Sequence, residues 1–123
     1  MFKVEVDGSK NRITGVLSGR IDKEEALKYA EEWRKAVDSF GSKPFCVIND
    51  MRGYKPVSPE VAGVFEDLTK YSMSKGMKKV AQIIDESVSK LQMRRVMKEM
   101  YEKGFVDFFR EDEKEEIGKF LES

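Results

Sequence analysis

At 123 residues the chain has the length of one domain with one core, and a chain this long needs no disulfide or structural metal to fold. Lys plus Arg and Asp plus Glu both total 23, a balance that gives no overall field for nucleic acid or an anionic membrane. Histidine is absent and Cys46 is the single cysteine, which excludes an intrachain disulfide and every triad built on imidazole, and argues against a transition-metal site.

The opening run Met1-Phe2-Lys3-Val4-Glu5-Val6 alternates as a half-buried strand does and reads as a strand, not a signal peptide. No apolar stretch approaches the ~20 residues of a membrane span, so a cytoplasmic location is the default expectation. Turn formers at Asp7-Gly8-Ser9-Lys10-Asn11 lead into a second alternating run with Ile13, Gly15, Leu17 and Gly19 on one face. The two runs predict a β-hairpin, and the bare glycines predict a close neighbour on that face.

Asp22, with Glu25 three residues on, has the spacing of a capping box. The helix it opens places Ala26, Tyr29, Ala30, Trp33, Ala36, Val37 and Phe40 on one face and stops at Gly41, leaving Leu27 outside. Pro44 to Asp50 is continuously apolar before its polar end, as expected of a central strand covered on both faces, with Cys46 a buried, inert thiol. After a loop, Ser58 and Pro59 start a second helix as N-cap and first-turn residue, with Val61, Val64, Phe65, Leu68 and Tyr71 inward.

Lys79 to Asp85 is the next strand. A third helix is predicted from Ser87 or Val88 to Lys103, with Met93, Val96, Met97, Met100 and Tyr101 along one arc as core filler. Phe105 to Phe109 is a last strand near an edge, and Asp112 with Glu115 predicts a capping box for a short terminal helix. The order ββαβαβαβα predicts one α/β domain over residues 1–123, with a mixed, mostly parallel five-stranded sheet and four helices.

This order resembles the STAS superfamily and, within it, the SpoIIAA-like family. The resemblance rests on Val47-Ile48-Asn49-Asp50-Met51-Arg52-Gly53 followed by Ser58-Pro59-Glu60, and on Lys79-Val80-Ala81 through Ile84-Asp85 followed by Leu91-Gln92-Met93-Arg94-Arg95. The Gly15, Leu17, Gly19 strand and the tail from Phe108 to Leu121 agree, so it covers nearly the whole chain. It implies a binding or regulatory module that recognises a protein partner, or a small apolar or lipid-like ligand, without a cofactor. Anti-sigma-factor antagonists of this superfamily carry a phosphorylatable serine after the acidic residue that ends the strand. Here Met51-Arg52-Gly53 stands in that stretch, with no hydroxyl, and Ser58 reads as an N-cap before it reads as a phosphosite.

Ligands of open α/β sheets bind beyond the carboxyl ends of the strands. That edge is expected to gather Asp50, Met51, Arg52, Tyr54, Val57 and Ser58 with Asp85, Ser87, Val88 and Leu91, the apolar members forming a rim. A structural alternative has Asp50 and Asp85 capping loops or pairing with Arg52. A rival reading is a small cofactor-independent enzyme using Asp50, Asp85 or Tyr54; it lacks a nucleophile–base pair and a phosphate-cradling glycine loop. The aromatic side chains of Phe105 to Phe109 at an edge give grounds for a homodimer that would cover them.

Overall fold

In the computed structural model, which describes residues 1–123, the alternating runs form β1 (Phe2–Asp7) and β2 (Arg12–Leu17). They pair antiparallel, from Phe2 opposite Leu17 to Asp7 opposite Arg12. The Asp7 carboxylate closes the turn by accepting from the backbone N–H groups of Ser9 and Lys10. Asn11 takes the left-handed conformation, φ 53°, that its short side chain tolerates.

α1 (Lys23–Asp38) begins at the expected N-cap, with Asp22 accepting from the Glu25 N–H at 2.8 Å, but only half of the capping box forms, because the Glu25 carboxylate pairs with the N-terminal amine. It buries Ala26, Tyr29, Ala30, Trp33, Ala36 and Val37 against the sheet. Phe40 lies beyond the helix end but stays in the core, stacked on Phe45 with ring centroids 5.2 Å apart. β3 (Phe45–Asp50) pairs parallel with β2. α2 (Pro59–Ser74) is capped by Ser58, whose hydroxyl accepts from the Val61 N–H. β4 (Met77–Ile83) pairs parallel with β3, and β5 (Val106–Phe109) parallel with β4, giving the order β1-β2-β3-β4-β5.

The predicted third helix is two: α3 (Lys90–Val96) and α4 (Lys98–Glu102), broken at Met97 (φ −106°, ψ 37°). The chain therefore has five helices instead of four. α3 starts after Ser89, not at Ser87 or Val88, because the Asp85 carboxylate holds the Ser87 N–H and hydroxyl in a turn. α3 is fixed over β5 by a two-pronged ion pair from Arg94 to Asp107, and Lys90 ties it to Glu113 in the segment beyond β5. Beyond the break, α4 brings Met100 towards the sheet, while Val96, expected inside, is 71% exposed.

The last helix, α5 (Lys114–Glu122), lacks the predicted capping box. Glu113 occupies the cap position, but its carboxylate accepts from the Arg110 N–H and pairs with Lys90 instead.

α1 and α2 cover one face of the sheet, joined by Met93, Met97, Met100 and Tyr101, around an 18-residue core. α5 covers part of the other face, packing Ile117 and Leu121 on Ala81 and Phe109, with Cys46, Ile48 and Ile83 alongside. Cys46 is only half-buried, its thiol 3.6 Å from the Leu121 carbonyl oxygen. Phe108 and Phe109 are buried within the chain itself, and of the edge aromatics only Phe105 stays exposed. The ground given for a homodimer is thus largely removed.

Candidate functional site

β3 and β4 run side by side and end at the same edge, Asp50 opposite Ile83, so the loops that follow them meet. The Gly53 N–H donates to the Asp85 carboxylate at 3.3 Å. Asp50 accepts from the Arg52 N–H at 3.2 Å and from its guanidinium at 2.9 and 2.6 Å, and Arg52 extends to Glu111. Arg110 donates to the Asp85 carbonyl, tying the loop after β5 to the same knot. Gly19 bonds both Gly53 and Lys55, clamping the loop after β3 to the strand edge.

These contacts engage the charges of the rim with one another. The Arg52 guanidinium holds the Asp50 carboxyl below its ordinary range, and the Ser87 hydroxyl does the same for Asp85, helped by the N–H groups of Gly53 and Ser87. A carboxylate held ionised in this way is a weak base. Burial raises the Tyr54 phenol, which lies near Phe65 with centroids 6.3 Å apart. No three acidic or cysteine side chains gather in a way that could hold a metal ion.

The apolar residues expected at the rim divide. Met51, Val57 and Val88 pack against the main core, whereas Leu91 is 59% exposed and takes no part in that packing. Ser58 has its hydroxyl occupied as the α2 cap. The cleft of about 900 Å³ that remains at this edge is lined by Arg52, Arg110 and Lys114 interleaved with Asp85, Glu86, Glu111 and Asp112.

A second concavity lies further in, between the sheet and helices α1, α2 and α4. It has a volume of about 190 Å³ and is mostly apolar, with Leu17, Val47, Val80 and Val106 as floor and Phe65, Leu68, Met97 and Met100 among its walls. Inward-facing positions alternate along each strand, so Gly15, Asn49 and Gln82 fall in one row across β2, β3 and β4. Gly15 gives this row its headroom. A Cβ there would stand 2.7 Å from the Tyr29 hydroxyl, 2.8 Å from the Trp33 ring and 3.2 Å from Asn49 Oδ1.

Two kinds of polar group meet the cavity. Trp33 Nε1–H donates to Ser72 Oγ at 2.8 Å, and that hydroxyl donates to the Leu68 carbonyl at 2.7 Å, so this pair is satisfied. The Tyr29 hydroxyl and the Asn49 and Gln82 carboxamides also line it, yet no protein group hydrogen-bonds them. No polar side-chain atom sealed inside the protein lacks a partner, so the free capacity of these three groups faces accessible space. Burial raises the Tyr29 phenol well above its ordinary range, keeping it neutral.

Tyr29, Trp33, Phe65, Met97 and Met100 were legible as core, but not as the wall of a cavity. Asn49 and Gln82 left a faint signal, each being the single carboxamide of its strand, and the register of β3 and β4 sets them side by side.

No helix is long and apolar enough to cross a membrane. No family model and no curated protein matches the sequence. Among solved structures, the chain is similar to an uncharacterised protein of the DUF3478 family with a SpoIIAA-like fold from Shewanella loihica PV-4. The TM-score is 0.73 at 16% identity, over 98% of this chain and 92% of that one. With the mixed five-stranded sheet and its order already traced, this likeness identifies the architecture: the chain has the SpoIIAA-like fold.

Proposed function

We propose that this chain is a non-catalytic binding module that holds a small, largely apolar ligand in the cavity between the sheet and helices α1, α2 and α4. One observation carries the reading: an apolar hollow of about 190 Å³ into which three neutral polar groups present unused hydrogen-bonding capacity. A ligand site has this composition, predominantly apolar lining with a few placed polar groups. The volume exceeds the ~150 Å³ of an engineered apolar cavity that takes up benzene, so a molecule of one or two rings fits.

The reading keeps the ligand class suggested by the resemblance and moves the site inward from the strand ends, with Met51 common to both. The rim favours a structural part, because its carboxylates and guanidinium groups are tied to one another. The engaged hydroxyl of Ser58 and the missing serine after Asp50 leave no evident phosphoswitch.

Native mass spectrometry of the purified protein, before and after organic extraction, tests the proposal. The expected result is a small bound molecule lost on extraction, after which added indane changes the emission of Trp33, the sole tryptophan and part of the cavity wall. A bare chain in both spectra, with Trp33 emission unmoved by indane, contradicts it.

A further inference from the structure

Resting on the reading that the cavity binds a small molecule, we infer that its ligand is an uncharged aromatic ring system carrying an N–H donor beside a carbonyl acceptor, read by the adjacent amides of Asn49 and Gln82. The two residues are register partners on neighbouring parallel strands and face the same cavity. Neighbouring strands are ~4.8 Å apart, so the two carboxamides stand side by side, each with one acceptor oxygen and one NH2 donor. A lactam-like edge offers the complement, since its N–H and carbonyl lie next to each other in one plane.

Charge selects against the ionic alternatives. No Asp, Glu, Lys or Arg is among the 16 residues that line the cavity. An ionised ligand would leave water without a counter-charge, which is far costlier than burying a neutral group that can be hydrogen-bonded. The raised Tyr29 phenol remains neutral and can donate or accept; it stands with Asn49 over Gly15, and Gln82 adjoins Asn49 on the next strand.

Shape favours a flat ring. Tyr29 is flanked by Trp33 and Phe65 with ring centroids 5.7 and 5.9 Å away, which gives the cavity an aromatic wall. Met51, Met97 and Met100 supply thioethers that pack well against ring edges and adjust to small differences in outline.

Three probes of similar size separate the possibilities by calorimetry at neutral pH: oxindole, which has the lactam edge; indane, its apolar counterpart; and benzoate, which is ionised. Oxindole is expected to bind at least about tenfold more tightly than indane, the equivalent of one good net hydrogen bond, and benzoate to give no saturable heat. Indane or benzoate matching oxindole overturns the inference while leaving the cavity as a binding site. Failure of all three to bind overturns both readings. The near-isosteric double substitution Asn49→Leu with Gln82→Met is expected to lower oxindole to the affinity of indane while indane itself still binds, which also reports that the variant is folded. Retention of the oxindole preference in that variant contradicts the inference.

Discussion

The carboxyl-end rim and the inner cavity differ in what their polar groups already do. At the rim, Asp50, Arg52 and Glu111 form a chain of ion pairs, and Asp85 is held by Gly53 and Ser87. The rim is wide and densely charged, and its hydrogen bonds organise the loops after β3, β4 and β5. The cavity is smaller, without charge, and lined by Tyr29, Asn49 and Gln82 with no protein partner. A conspicuous cluster of ionisable residues is thus consistent with loop architecture, while recognition can lie where neutral capacity is left free. Surface charge pairs contribute little on their own, and their value here lies in joining three loops.

The largest effect is expected at Gly15→Val, which alters the cavity and leaves the rim untouched. The new side chain collides with the Tyr29 hydroxyl and the Trp33 ring, so the rings must move into the cavity or the strand must shift. A destabilisation of about 1–3 kcal/mol in urea unfolding is expected, together with loss of indane uptake. Next in size, Trp33→Phe removes the donor to Ser72, whose hydroxyl keeps its bond to the Leu68 carbonyl. A loss of about 1–2 kcal/mol is expected in the same measurement.

At the rim, Asp50→Asn leaves the fold in place and weakens the knot by about 1 kcal/mol at neutral pH, without altering indane binding. The pH dependence has a definite sign. Asp50 and Glu113 have carboxyls depressed in the folded state, Asp50 by Arg52 and Glu113 by Lys90. Their contribution is therefore fully present above the unfolded value of about 4 and is lost as pH falls through the lower folded value. Urea midpoints should stay level above that range and decline below it, less steeply in Asp50→Asn. The smallest effect is expected at Leu91→Asp: within about 0.5 kcal/mol in urea unfolding, with unchanged ligand affinity by calorimetry, because Leu91 is solvent-facing.

Much of the architecture was legible because it rests on local patterns. Alternation placed β1 and β2, and Asp22 and Ser58 announced the starts of α1 and α2 through caps that the structure contains. The break at Met97 was hidden, since Met-Arg-Arg-Val-Met-Lys-Glu has neither proline nor glycine. Only the packing of α3 on β5 and of α4 on the cavity shows it. The start of α5 was misread because Glu113 is drawn to Lys90 and Arg110, partners 23 and 3 residues away. The edge where the strands end was foreseeable from topology. The cavity was not, because its lining comes from β2, β3, β4, β5 and three helices, and only the register between strands shows that Asn49 stands beside Gln82.

Titration of isotope-labelled protein with oxindole, followed by amide chemical shifts, distinguishes recognition inside the fold from recognition at its charged edge. Saturable changes concentrated at Gly15, Tyr29, Asn49, Phe65 and Gln82, with Arg52, Asp85 and Glu111 undisturbed, are the expected result. Shifts centred on Arg52, Asp85 and Glu111, with the cavity residues unmoved, would contradict it.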